Sequence, residues 1–205
     1  MDPEQSPAYV VLVPVKPWAH AKTRLTTHDG ARRRALVEGF ARDVVASAAG
    51  CRRVAAVYVV TAQPGFAPDG ARTLPDLGRG DLNAALSAAD EHVRTENPWA
   101  AVAALCADLP CLLPDDLAVA LDESAGRRGF VADLAGTGTT LLVAAPGAPL
   151  VPMFGAGSAR AHEDHGARPV LAEVATLRLD VDTGDDLDLA VRRGVGPNTA
   201  GALAT

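Results

Sequence analysis

Apolar positions along the chain follow two alternating periods. The run 9–15 is almost continuously apolar, as in a strand covered on both faces, and Pro14, Lys16 and Pro17 turn it into a loop. Over 31–49 the apolar residues Ala35, Leu36, Phe40, Val44, Val45 and Ala48 recur at helical spacing, and Gly50 supplies a stop. A second buried strand is predicted over 54–60 and a Pro- and Gly-rich loop over 64–80. Asp81 then caps a helix whose buried face is Leu82, Ala85, Leu86, Ala89 and Val93, closed by Asn97-Pro98. The segment 99–106 predicts a strand that runs directly into Ala107-Asp108-Leu109-Pro110. Pro114 suits the first turn of the next helix, with Leu117 and Leu121 inward. Strands are expected over 130–134 and 140–144, a short helix after Gly155-Ala156-Gly157-Ser158, a last strand over 177–181 and a helix over 187–193. Strands alternating with helices imply an α/β fold with a sheet flanked by helices. No repeat or linker interrupts the pattern, so residues 1–205 are read as a single domain with an ordered core of about 9–194.

Composition narrows the class. The chain has 205 residues, 48% of them hydrophobic, and 19 Lys+Arg against 25 Asp+Glu give a net charge of −6. That is too apolar for disorder and lacks the basic excess of a nucleic-acid binder, so both readings are disfavoured. Neither a basic-then-apolar leader nor an apolar run near the roughly 18 residues of a membrane helix is present, which predicts a cytoplasmic protein. Cys51, Cys106 and Cys111 contain no C-x-x-C pair and read as small core residues.

Four constellations could carry chemistry. Lys16, Lys22 and Arg24 follow the first strand, where cations can offset the charges of a polyphosphate; a solvated basic loop would look the same. Neither G-x-x-x-x-G-K-[ST] nor a post-strand G-x-G-x-x-G occurs, so a bound nucleotide needs another fold variant. Asp108, Asp180 and Asp182 fall at expected strand ends, where open α/β sheets bind ligands, and a few carboxylates plus phosphate oxygens suit Mg2+. A turn at Asp108 and a helix cap at Asp182 or Thr183 are the alternatives. Gly136-Thr137-Gly138-Thr139-Thr140 with Phe154-Gly155-Ala156-Gly157-Ser158 offers hydroxyls and N–H groups to phosphate or carboxylate, against a hairpin turn with Ser158 as a helix cap. His162, Glu163 and His165 lack H-E-x-x-H spacing and read as surface residues, His162 with a secondary claim on substrate. Asn83, after Gly78-Arg79-Gly80, could read a base edge or ribose.

Taken in order, Pro14-Val15-Lys16 with Ala21-Lys22-Thr23-Arg24-Leu25, Leu82-Asn83-Ala84-Ala85-Leu86, Ala107-Asp108-Leu109-Pro110, Thr137-Gly138-Thr139-Thr140-Leu141, Phe154-Gly155 with Ser158, and Asp180-Val181-Asp182-Thr183 with Asp186-Leu187 resemble one family. It is the 2-phospho-L-lactate / phosphoenolpyruvate guanylyltransferase family of coenzyme F-420 biosynthesis, and the resemblance spans about residues 9–194. It implies a glycosyltransferase-A-like, Rossmann-like nucleotidyltransferase fold and transfer of GMP from GTP to a phosphorylated three-carbon acid with magnesium. It also implies roles: Lys16, Lys22 and Arg24 on the GTP phosphates, Asn83 toward the nucleotide, Asp108 with Asp180 or Asp182 on metal, and Thr140, Gly155 and Ser158 on the acceptor. Where the family pattern has Gly-Leu-Asn, this chain has Asp81-Leu82-Asn83. Rival readings are a molybdenum-cofactor or sugar-phosphate nucleotidyltransferase, or a nucleotide-binding regulator without catalysis. GTP-dependent pyrophosphate release separates enzyme from regulator.

Overall fold

β1 (Tyr9–Val15) lies inside the sheet because both of its faces can be buried. Val11, Val13 and Val15 face one helical layer, and Leu12 faces the other. The computed structural model describes residues 8–18 and 30–204. Around β1 stand β2 (Val54–Thr61), β3 (Arg72–Pro75), β4 (Ala101–Leu105), β5 (Gly129–Ala132), β6 (Thr139–Val143) and β7 (Arg168–Pro169), in the order β3-β2-β1-β4-β6-β5-β7. β1 pairs in parallel with β2 and β4, and β2 with β3, whereas β6 runs antiparallel to both β4 and β5.

α1 (Gly30–Ala49) and α3 (Pro114–Glu123) cover the face carrying Val11 and Val13. α2 (Leu82–Glu96) and α4 (Ser158–Asp164) cover the other. α5 (Gly184–Arg193) and α6 (Pro197–Ala204) complete the chain, and a third apolar cluster joins Leu36 and Phe40 of α1 to Leu187 and Ala190 of α5. The chain leaves β1 toward β2 on one side and returns to β4 on the other. The C-terminal ends of β1 and β4 therefore flank the crevice where such sheets bind ligands.

Most expected elements are found, and the reading is corrected at four places, one of them the unpredicted two-residue β7, which pairs with β5. The loop predicted over 64–80 contains β3, four residues ending in Pro75 that ladder only onto β2; an edge strand tolerates such brevity and a terminal proline. The strand predicted over 177–181 is absent. Leu177, Leu179 and Val181 are buried, but Leu177 closes a turn onto Val174, and the Val181 N–H donates to the Asp108 carbonyl rather than to a ladder. α6 lies beyond the expected core boundary. Its first amides are satisfied from a distance: the buried Asp43 carboxylate of α1 accepts from Asn198 N, Asn198 Nδ2 and Thr199 N at 3.0, 2.9 and 2.8 Å. Asp43→Ala should lower the unfolding free energy by about 3 kcal/mol, because buried donors lose a charged acceptor. Chemical denaturation would show it, and an unchanged midpoint would contradict it. The cysteines meet expectation: Cys51 and Cys111 are buried, Cys106 half-buried, and none forms a disulfide.

Candidate nucleotide and acceptor site

A cleft of about 460 Å³ opens at the C-terminal ends of β1 and β2. Pro14 to Pro17 form one wall and Arg79, Gly80, Leu82 and Ala85 the other. Its volume suits a nucleotide-sized ligand. Lys16 and Arg79 are exposed at its rim, so two cations border it. Arg79 was not singled out by sequence; it sits at φ +52, a left-handed conformation uncommon outside glycine, followed by Gly80 at φ +98. Lys22 and Arg24 lie outside the described residues.

The aspartate segments meet through the backbone. β4 ends at Leu105, and Asp108 follows in the connecting loop, half-buried. The 3.0 Å bond from Val181 N to the Asp108 carbonyl places the segment bearing Asp180 and Asp182 against it. The helix-cap alternative for Asp182 is removed: Thr183 caps α5, and the Asp186 carboxylate reaches back to it in a capping box. Asp182 is exposed and Asp180 half-exposed. Among the described residues no three His, Cys, Asp or Glu side chains form a ready-made cation cage. The side chains at hand are carboxylates, oxygen donors of the kind magnesium takes together with phosphate oxygens and water.

The loop 150–154 is held from several sides. Both ends of the Asn83 amide engage Phe154: its Nδ2 donates to the Phe154 carbonyl at 3.0 Å, and Phe154 N donates to its Oδ1 at 2.7 Å. One residue earlier, Met153 N donates to His162 Nε2 at 2.9 Å. Nε2 must therefore be unprotonated, and the ring proton sits on Nδ1, which donates to Thr139 Oγ1 at 2.9 Å. Arg128 donates to the carbonyls of Leu150 and Val151, steadying Val151 at φ +46, a strained value for a β-branched residue. The turn after β5 is a hairpin, as the bland alternative held. Asp133 accepts from the amides of Thr137 and Gly138, and the Thr137 carbonyl receives Ala159 N at the start of α4.

Three further placements bear on the sequence reading. His162 is not a surface residue: it is fully buried against Phe130 and Phe154 because its two ring nitrogens bridge β6 and the loop. Ser158 does not cap α4; Gly157, at φ +73, holds that place, and Ser158 is the buried first residue of the helix. Thr140 is 1% exposed, its hydroxyl donating to the Val131 carbonyl at 3.4 Å.

Burial pushes the His162 pKa down to about 4, helped by the nearby positive charges of Arg128 and His165. The unfolded chain binds this proton near pH 6.5 and the folded protein only near 4. Stability from the neutral ring is thus complete above pH 6.5 and lost as pH falls through that window, by about 3 kcal/mol in all. Denaturation midpoints at pH 7 and pH 4.5 should differ less in His162→Gln than in the parent; an identical difference would contradict the burial of a neutral ring.

A sheet of this order, with a nucleotide-sized cleft at the C-terminal ends of β1 and β2 and carboxylates after the neighbouring β4, is the architecture of a nucleotidyltransferase-type α/β protein. A nucleotide-diphospho-sugar transferase-like structure from Desulfovibrio desulfuricans G20 shares the fold at TM-score 0.71 and 17% identity, covering 97% of this chain and 94% of that one. A 4-diphosphocytidyl-2C-methyl-D-erythritol synthase follows at TM-score 0.57 and 15% identity, covering 90% and 97%.

Sequence relatives are more specific. Residues 9–200 match the family described as Guanylyl transferase CofC like, and the chain belongs to that enzyme family. A phosphoenolpyruvate guanylyltransferase of Streptomyces scabiei is 48% identical over 96% of both chains. One of Thermomonospora curvata is 44% identical over 95% of this chain and 88% of its own. Among the described residues no helix is long and apolar enough to cross a membrane.

Proposed function

We propose that this enzyme transfers GMP from GTP to phosphoenolpyruvate, releasing pyrophosphate, as a cytoplasmic step of coenzyme F-420 biosynthesis. The observation that carries the reading is a juxtaposition. The nucleotide-sized cleft and the loop at Phe154–Gly155 are joined by the first turn of α2, where Leu82 lines the cleft and Asn83 holds Phe154, while the Asp108 and Asp180–Asp182 segments are tied together beside β4. The choice of guanylyl group and phosphoenolpyruvate rests on the relatives' names.

In this reading the GTP phosphates lie along Lys16, Lys22 and Arg24, with Arg79 at the opposite rim. Gly155 and Ser158 receive the acceptor. Thr140 joins them by turning its hydroxyl from the Val131 carbonyl, a contact near the long limit of such bonds. An acceptor phosphate oxygen is anionic at neutral pH and attacks the α-phosphorus directly. The bond from the α-phosphorus to the oxygen bridging to the β-phosphorus breaks, and pyrophosphate leaves with that electron pair. No general base is required, so the protein's contribution is alignment and charge neutralisation. Asp108, Asp180 and Asp182 would hold Mg2+, which offsets charge on the two anions. Lys16 and Lys22 follow the negative charge onto departing pyrophosphate.

Pyrophosphate release in matched reactions tests the assignment. GTP with phosphoenolpyruvate should give release far above ATP or CTP with the same acceptor, and above GTP with 2-phospho-L-lactate or 3-phosphoglycerate. Equal rates with every nucleotide, or release without any acceptor, would refute it.

A further inference from the structure

We infer that Asn83 is a positioning residue that transmits occupancy of the nucleotide cleft to the acceptor loop, with His162 fixing the same loop from the other side. The inference deepens the proposed reaction and rests on its placement of the acceptor at Gly155 and Ser158.

Asn83 stands between the two halves of the site; its amide, which the resemblance sets toward the nucleotide, is taken up by the Phe154 backbone instead. Its neighbours Gly80, Leu82 and Ala85 line the nucleotide cleft, and the Asp81 carboxylate accepts from Asn83 N and Ala84 N at 2.8 and 3.1 Å, making the turn one stiff unit. Its side chain leaves that unit and closes a two-bond ring with the backbone of Phe154. Only a carboxamide supplies donor and acceptor together in this geometry: an aspartate would set a carboxylate oxygen against the Phe154 carbonyl, and an alanine would release both bonds.

His162 holds the adjacent amide of Met153 and is anchored to Thr139 of β6, while its ring meets Phe154 edge-on at a centroid distance of 5.2 Å. Two consecutive amides are thus gripped by side chains from two different helices, immediately before Gly155 at φ +141, a conformation suited to glycine. A shift of the first turn of α2 when nucleotide enters is carried by the Asn83 ring to Phe154 and hence to Gly155. The His162 grip keeps Met153 in place, so the movement appears as a change at Gly155 rather than as loosening of the whole loop.

Acceptor affinity should therefore depend on nucleotide through Asn83. Phosphoenolpyruvate binding by the full-length protein is measured by calorimetry with magnesium, alone and with a GTP analogue methylene-bridged between the α- and β-phosphates. In the parent protein the analogue should tighten phosphoenolpyruvate about tenfold, within the usual range of coupling between sites. In Asn83→Asp and Asn83→Ala the enhancement should fall to near unity, with affinity for the analogue itself unchanged and melting temperatures recorded alongside. His162→Gln should weaken the acceptor with and without analogue by the same factor, leaving the ratio intact.

A purely structural Asn83 would lower the melting temperature yet keep the tenfold ratio, and that result overturns the inference. Loss of analogue affinity matching the loss of acceptor affinity also overturns it, by making Asn83 a direct nucleotide contact. Absence of enhancement in the parent overturns the coupling alone when phosphoenolpyruvate is still turned over. Where the parent turns over no phosphorylated three-carbon acid, the proposed reaction itself fails.

Discussion

Asp108→Asn is expected to reduce turnover by at least about a thousandfold while leaving the melting temperature almost unchanged. The substitution keeps shape and removes one negative charge where, in the proposed reaction, a divalent cation would bring two phosphate-bearing substrates together. Losing a carboxylate ligand removes charge stabilisation that bound water cannot replace. Stability should survive because the bond that ties this segment to the next uses the Asp108 backbone carbonyl, which receives Val181 N and is untouched by the change. Steady-state rates across a magnesium titration, with a thermal melt beside them, provide the check. A variant with parental turnover at limiting magnesium would take Asp108 out of the metal site.

The second large effect is expected at the basic segment after β1. Lys16→Ala and Lys22→Ala should each raise KM for GTP and lower kcat, together costing about a hundredfold in kcat/KM. Lys16 stands exposed where β1 opens into the cleft, so truncation removes charge without emptying a packed core. The lowered kcat follows because negative charge grows on pyrophosphate as it departs, making the cation more valuable in the transition state than in the bound substrate. A change confined to KM for phosphoenolpyruvate would mean that the basic segment serves the acceptor instead.

The contrast between what the chain discloses locally and what it does not follows from the range of each interaction. β1, α1, α2 and α3 are legible because their signals lie inside the element: a double-faced apolar run, helical spacing, Asp81 capping its own helix, Pro114 in a first turn. The segment 177–181 satisfied the strand pattern by burying Leu177, Leu179 and Val181. Whether an extended segment finds a ladder partner is decided elsewhere in the chain, and here its Val181 amide found the Asp108 carbonyl. α6 was missed for the same reason, its capping acceptor Asp43 lying 155 residues from Asn198.

The site divides similarly. Asp108 and Lys16 stood out in the sequence by their position just after predicted strands, although a turn and a solvated loop were open to them as well. His162 did not, since the groups that bury it, Thr139 and the Met153 amide, carry no mark of their role. The position of Asn83 was visible, but its engagement of a backbone 71 residues away was not. Its departure context, Asp81 in place of glycine, is explained locally: Asp81 caps α2 by accepting two amides.

The most direct measurement is phosphorus-31 NMR of a reaction containing GTP, phosphoenolpyruvate labelled with oxygen-18 in its phosphate, and magnesium. The account predicts that the phosphoenolpyruvate monoester signal is replaced by a diphosphate diester containing all of the label, with one equivalent of unlabelled pyrophosphate. Formation of GMP or GDP while the phosphoenolpyruvate signal persists, or label appearing in pyrophosphate, would contradict it.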